Sequence, residues 1–417
     1  MQRDSTSGVP DSPPGSGASA PGSPDDARAA DQAAQAALVR RIAARTAQAG
    51  GWIPFDEFMA EALYAPGLGY YSGGRRIFGL GPGSGSDFVT APELSPFFGR
   101  TLAVQVREAL DAAGSDEVIE FGAGSGALAE QLLEALDADD AGDDGLLRPP
   151  VMYTIVELSG ALRERQQQRL ARFAPRVRWL DAWPQTLTGV VVGNEVLDAM
   201  PVKLLVRRAG RWHERGVVAA PEAGDTAGGR PFVFADLDAP YELEGETQAA
   251  PALAGGAFVD GSVTEIHPIA ESFIASLAER LARGVVLLVD YGFPEHEYYH
   301  PQRTGGTLMC HQAHVADTDP LVDVGRKDIT AHVNYSGIAL AAQEAGLDVL
   351  GYTSQARFLI NCGLVDLLAG ASVAERGNAQ KLVNEHEMGE LFKVIALARD
   401  CTFDPVGFRT GDRSHTL

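Results

Sequence analysis

The chain has 417 residues, 45% of them hydrophobic, which is enough to bury a large core in one domain or two. Its 56 Asp+Glu against 34 Lys+Arg give a formal net charge of -22, which disfavours nucleic acid and anionic lipid as partners; a solvated acidic surface accounts for it most simply, and a cationic substrate is the other reading. Three cysteines cannot build a disulfide framework, no run reaches the ~18 apolar residues of a membrane span, and the start is neither an apolar leader nor Arg-rich and acid-poor, so a cytoplasmic protein is expected.

Residues 1–24 are mostly Ser, Gly and Pro, a composition that cannot offset its ordering entropy and predicts a disordered tail. Ser23-Pro24-Asp25-Asp26 has the form of a helix start, and Gly50-Gly51 the form of its end. Residues 25–115 read as an N-terminal helical or lid region. It is interrupted by the glycine-rich stretch Phe78–Ser86, a flexible loop that lacks the Lys of a phosphate-binding P-loop.

From residue 116 short β-branched runs alternate with helical patterns, the signature of a doubly wound, mostly parallel α/β sheet with helices on both faces. Seven strands are predicted, at Val118–Phe121, Val151–Glu157, Val177–Leu180, Val190–Asn194, Val285–Asp290, Leu347–Tyr352 and Lys393–Ala398. Ile269, Phe273, Leu277 and Leu281 mark an amphipathic helix before the fifth. Residues 116–202 form one half of the sheet and 268–417 complete it. Between them, residues 203–267 read as a β-rich insertion: a hairpin of Leu204–Arg208 and Trp212–Val218 around Ala209-Gly210, then Pro231–Phe234 and Ser262–His267. The insertion is expected over the carboxyl ends of the sheet, where open α/β folds bind ligands.

Val118–Leu128 is a strand, a glycine-rich turn and a helix. Gly122, Gly124 and Gly126 let the backbone approach a cofactor without a Cβ clash. Gly122 to Ala127 also satisfies the dinucleotide pattern G-x-G-x-x-A, so the motif alone leaves the cofactor open. Charge separates the two readings. Glu120 precedes the turn and no Lys or Arg lies between Val118 and Glu134, which suits a sulfonium cofactor and opposes a pyrophosphate. Glu157 ends the second strand, where a carboxylate can accept both ribose hydroxyls; Asp181 follows the third, and Asn194-Glu195 end the fourth. S-adenosylmethionine is the cofactor this predicts.

His296-Glu-Tyr-Tyr-His300 is a literal H-E-x-x-H, but Pro294 and Pro301 bracket it and deny it the helix that zinc binding requires. No metal site is expected, although Cys310, His311 and His314 lie nearby. The segment reads instead as a loop at the same mouth, touching substrate through Tyr298, Tyr299 or His300.

Four segments resemble the MidA-like methyltransferases, homologues of the mitochondrial complex I assembly methyltransferase: Asp87–Ser95 with Phe98-Gly99, Glu120–Gly124, Gly193–Pro201 and Asp328–Val333. The resemblance runs from about residue 52 to about 400. It implies a class I (Rossmann-like) methyltransferase fold, S-adenosylmethionine as donor and, for the mitochondrial member, symmetric dimethylation of arginine on a complex I subunit. Carried over, Gly122, Gly124 and Glu157 hold the donor, Asn194, Glu195 and Asp198 face the transfer centre, and Thr90, Pro92 and Glu93 cover the site. A protein substrate is the implied partner, and the insertion is left for substrate docking, a homodimer or both.

An arginine acceptor has a pKa above 12 and a delocalised lone pair, so carboxylates forked to one side must localise its charge. Glu195 is the expected clamp, with Asp198 or Glu93 as the second carboxylate and His332 as proton acceptor. A small-molecule methyltransferase, and an assembly chaperone that binds the donor without essential turnover, are the alternative readings.

Overall fold

A computed structural model describes residues 24–73, 89–138, 149–221 and 230–417. The expected tail up to residue 23 and the loop Phe78–Ser86 lie outside them. Helix α1 (Pro24–Gln48) starts at the expected proline and stops before Gly50 and Gly51, both at positive φ. The short strand β1 (Ile53–Pro54) and α2 (Phe55–Tyr64) follow, then α3 (Ala91–Leu94) and α4 (Phe97–Ala113), which is closed by the left-handed Gly114.

The α/β alternation then begins: β2 (Glu117–Phe121), α5 (Ala127–Ala138), β3 (Met152–Val156), α6 (Gly160–Arg169), β4 (Val177–Leu180) and β5 (Leu187–Asn194). The insertion contributes β6 (Lys203–Arg208), β7 (Arg211–Ala219), β8 (Phe232–Pro240), α7 (Ala250–Gly255) and β9 (Val263–Ile266). After it come α8 (Pro268–Arg280), β10 (Leu281–Phe293), α9 (Glu295–Tyr298), β11 (Met309–Gln312), β12 (Val315–Asp317), β13 (Asp328–Thr330), β14 (Val333–Asn334), α10 (Tyr335–Glu344), β15 (Asp348–Ser354) and β16 (Phe392–Arg399).

The main sheet runs β15-β16-β10-β5-β2-β3-β4. All neighbours are parallel except β16, which is antiparallel to both β10 and β15. The seven expected strands are these. An eighth, β14, pairs with the end of β10 at Gly292↔Val333 and is two residues long, too short to leave a periodic signal. Both faces are covered, so the central strands are continuously apolar. Val190 and Val192 point into one core with Leu102, Val106, Leu132 and Leu133 of α4 and α5, whereas Val191 points into the other with Ile274, Leu277, Ile338 and Ala342 of α8 and α10. The buried residues of α8 are Ala270, Ile274, Leu277 and Ala278; of the expected stripe Leu277 is buried, Leu281 is buried at the start of β10, Phe273 packs partly buried against the same core, and Ile269 is exposed.

The β6–β7 hairpin turns at Ala209 and Gly210 with φ of 46° and 75°, the two positive values that a type I′ turn requires. The insertion is not self-contained. β1 pairs with β7 at Ile53↔Val217, and Phe55, Phe58 and Leu63 of α2 share a core with Leu204, Val217, Phe232 and Ile329. The N-terminal region, the insertion and the small sheet β12-β11-β13 therefore make one wall above the carboxyl ends of the main sheet. Strand order reverses between β2 and β5, and that switch point is where the wall leaves a cavity.

Candidate functional site

A cavity of about 350 Å³ opens there. Its inner side is the turn after β2 (Glu120, Gly122 to Ser125) and the end of β5 (Asn194, Glu195, Asp198); Thr90 and Pro92 close one flank. The outer side is Tyr71, Tyr291, Met309, His311, Asp328 and His332. Four carboxylates line it, and no Lys or Arg does so among the described residues.

The glycines answer to geometry. Gly122, Gly124 and Gly126 have φ of 67°, 52° and 82°, in the left-handed region, and a Cβ at Gly122 would stand 2.8 Å from Val196 Cγ2. Buried Gln166 Nε2 donates to Gly124 O (2.9 Å) and to Glu157 Oε2 (3.0 Å), and its Oε1 accepts from Trp179 Nε1 (3.1 Å). It thus ties the turn to the end of β3. Glu157 Oε1 also accepts from Ser159 N (2.7 Å). Gly126 and Glu157 sit beside the cavity rather than on its lining, and Asp181 is exposed past the end of β4.

Glu120 is 2% exposed, and burial pushes its carboxyl up to about 8, with nearby Glu157 adding to the shift and the 2.9 Å hydrogen bond from Tyr153 opposing it. A cation beside it would restore the charged form. Glu195 is raised to about 8 as well, first by burial and then by Asp198. Its φ of 55° is costly for a residue with a side chain, roughly 1–3 kcal/mol. The turn is held by Asp290, which no sequence signal marked as functional. Asp290 Oδ2 accepts from the N–H groups of Val196 (3.1 Å), Leu197 (2.9 Å) and Asp198 (3.2 Å), and Glu195 N donates to Val289 O (2.8 Å). Asp198 accepts from the Tyr291 hydroxyl, while its Oδ1 and Asn194 Oδ1 are buried acceptors without a donor. Burial and the neighbouring carboxylates raise the pKa of Asp290, and burial raises that of Asp198.

His332 stacks on Phe293 with ring centroids 5.2 Å apart and planes 3° from parallel. Burial and the Arg303 guanidinium push its pKa down to about 4, so it is neutral at pH 7. Tyr71 donates to both oxygens of Asp328 at 2.9 Å. Tyr71, Tyr291, Asp290 and Gln166 escaped the sequence reading. Asp328 falls within the Asp328–Val333 segment, which by itself gives it no role, and the sequence offers His311 only as one of the metal-ligand types beside Cys310 and His314.

Several expected contacts are corrected. Glu93 faces away from the acceptor side: its Oε1 accepts from Ser125 Oγ and from Arg169 Nη1 (3.0 Å), which fastens α3 to the glycine turn. Tyr298 and Tyr299 are buried under the insertion and donate to Glu265, the first to its carboxylate and the second to its carbonyl, each at 3.0 Å. His300 is exposed and off the cavity lining. Of the H-E-x-x-H segment only Glu295–Tyr298 is helical, and His296 is exposed. Among the described residues no three His, Cys, Asp or Glu side chains are grouped to hold a metal, and no helix is long and apolar enough to cross a membrane.

A family profile described as an S-adenosyl-L-methionine-dependent methyltransferase matches residues 101–353. The chain belongs to this family. The methyltransferase is 50% identical to a Burkholderia thailandensis protein solved with S-adenosyl-homocysteine bound, covering 96% of this chain and 100% of that one with a TM-score of 0.84. It is 27% identical over 402 residues to a Drosophila melanogaster protein named protein arginine methyltransferase NDUFAF7 homolog, mitochondrial, covering 86% of this chain and 84% of the relative. The human protein arginine methyltransferase NDUFAF7, mitochondrial, is 26% identical, with 83% and 80% covered.

These relatives overturn the cytoplasmic expectation, since they are named mitochondrial. The donor is S-adenosyl-L-methionine, and the residues present fit it. Its sulfonium and ammonium outnumber its one carboxylate, which suits a lining with Glu120, an orphaned Asn194 Oδ1 and, among the described residues, no Lys or Arg. The same lining opposes the pyrophosphate of a dinucleotide.

Proposed function

We propose that this methyltransferase modifies arginine on a protein substrate, and that the substrate is a respiratory complex I subunit or assembly intermediate. The observation that carries the reading is the carboxylate lining: Glu195, Asp198 and Asp328 in one cavity with no fixed cation among its described residues. A guanidinium has five N–H donors and cannot shed its charge before reaction, so it needs acceptors on several sides. Asp198 Oδ1 is buried without a donor. The names of the Drosophila and human relatives support arginine, and the MidA-like resemblance supports the complex I context.

In this reading Glu120, Gly122, Gly124, Gly126, Glu157, Asp181, Asn194, Thr90 and Pro92 hold the donor. The donor supplies a methyl group on sulfonium. Glu195 and Asp198 fork the guanidinium, with Asp328 replacing Glu93 as the further carboxylate. Asp290 fixes the turn on which Glu195 and Asp198 stand, so the geometry is set before substrate arrives. Neutral His332 accepts a proton at Nδ1, an atom buried without a hydrogen-bond partner; its low pKa makes this a transfer to a weak base that passes on to solvent.

The test is mass spectrometry of complex I subunits from cells lacking the protein and complemented with wild type or Glu195→Gln. Dimethylarginine restored by wild type alone supports the proposal. Equal modification in both contradicts it, and restored assembly without modification favours the chaperone reading.

A further inference from the structure

The last strand of the insertion reaches the cavity wall through a buried carboxylate. Glu265, on β9, is 0% exposed. It accepts from Thr307 N at both oxygens (2.9 and 3.1 Å), Leu308 N (3.0 Å), Tyr298 Oη (3.0 Å) and Thr307 Oγ1 (3.2 Å). The backbone is pressed against it: a Cβ on Gly306, at φ 73°, would lie 2.2 Å from Glu265 Oε1. The Tyr298 hydroxyl also lies 2.9 Å from Thr307 Oγ1 and 3.0 Å from His267 Nε2, which joins both side chains to the network.

Two connections run from this hub to the cavity. Thr307 Oγ1 accepts from His332 N at 3.1 Å. Leu308 leads directly into β11, whose Met309 and His311 line the cavity together with His332. One carboxylate therefore anchors the chain that enters β11 ahead of Met309 and His311, and through Thr307 Oγ1 it meets the backbone of His332, all on the side opposite the glycine turn.

We propose that Glu265 and Thr307 are positioning residues of the outer wall, setting His332, Met309 and His311 for the methyl acceptor while leaving the donor half untouched. The arginine assignment enters only as the choice of acceptor, so this inference rests on the proposed function for its turnover assay alone. The insertion is then a strut of the acceptor pocket as well as a cover, and the Tyr298 segment that imitates a zinc motif is a brace within it.

The experiment uses the whole chain with Thr307→Val, Thr307→Ser and Glu265→Gln. Valine matches threonine in shape but cannot accept from His332 N, whereas serine can. For Thr307→Val the expected result is a fall in kcat of about tenfold or more. KM for S-adenosylmethionine and the S-adenosyl-homocysteine Kd should stay unchanged even though the lost buried hydrogen bonds lower Tm, the His332 amide resonance should shift, and Thr307→Ser should recover most of the rate. Glu265→Gln should give the larger loss and also shift the His311 amide. Equal loss in the valine and serine variants, or an unmoved His332 amide, would overturn the inference. If wild type methylates no arginine, the acceptor reading fails, while the amide shifts and the unaltered donor-product Kd still decide this one.

Discussion

The two sides of the cavity are built by different means. The glycine side uses backbone: a turn of left-handed glycines between β2 and α5, bound by Gln166 and clamped by Glu93 and Arg169. The opposite side uses side chains brought from distant parts of the chain, with Tyr71 from the N-terminal region, Tyr291 from β10, His311 from β11 and Asp328 from β13. A backbone cradle selects a ligand by shape close to the chain and tolerates little change. A side-chain wall can change its ligand by substitution, and it depends on struts such as Glu265. Methyltransferases share a donor and differ in acceptor, and this division of labour permits that.

The largest effect expected on breaking this division is at Gly122. Gly122→Val places atoms where a Cβ already meets Val196 at 2.8 Å, in a φ that valine avoids. Affinity for S-adenosyl-homocysteine should fall about 100-fold or more, roughly 2.7 kcal/mol, by calorimetry. Retained affinity would mean that the donor does not use the turn.

Glu195→Gln tests the acceptor's charge rather than the cradle, although Glu195 stands at the end of β5 beside the glycine turn. Turnover should drop by about 100-fold, as for a lost charge-stabilising group, while the S-adenosyl-homocysteine Kd changes less than about threefold. A comparable loss in both would merge the two walls into one function.

Glu120 gives a pH signature to the donor side. Its carboxyl sits at about 8 without ligand, and a bound sulfonium or ammonium lowers that value. Below pH 8 binding then expels a proton, so affinity rises with pH, by at most about tenfold per unit, and levels off above about 8. Titrations in buffers of different ionisation heat should register the released proton, and Glu120→Gln should abolish it. A wild-type affinity flat from pH 6 to 8 would contradict the assignment.

The smallest effect is expected for Tyr71→Phe, which removes one hydroxyl from Asp328 and leaves the ring stacked on Tyr64 at 5.5 Å. The acceptor KM should change several-fold, about 1 kcal/mol, with donor binding constant. An altered donor Kd would place Tyr71 on the wrong side of the comparison.

The same contrast explains what could be read in the sequence. Donor-side features are local. A strand, three glycines and a helix follow one another within eleven residues, and an acidic group at a strand end needs no partner elsewhere to be noticed. The seven strands were equally legible because burial on both faces leaves continuous apolar runs. The acceptor side is assembled across long separations: Tyr71 meets Asp328 and Tyr298 meets Glu265 only after folding. Tyr298 and Tyr299, with aromatic character and polar tips near a strand end, resemble ligand contacts in one dimension and are buried braces in three. Glu93 was legible as important but not in direction, because its partner Arg169 lies on another helix. Asp290 was invisible for a related reason: its partners are backbone N–H groups, which every residue carries.

The most direct measurement transfers labelled methyl groups from S-adenosyl-L-methionine to proteins of cells lacking the enzyme, then separates the label by acid hydrolysis and amino-acid analysis. The account predicts label in dimethylarginine with wild type and almost none with Glu195→Gln. Label in lysine or a small molecule, with arginine unmodified, would contradict a guanidinium in the carboxylate-lined cavity.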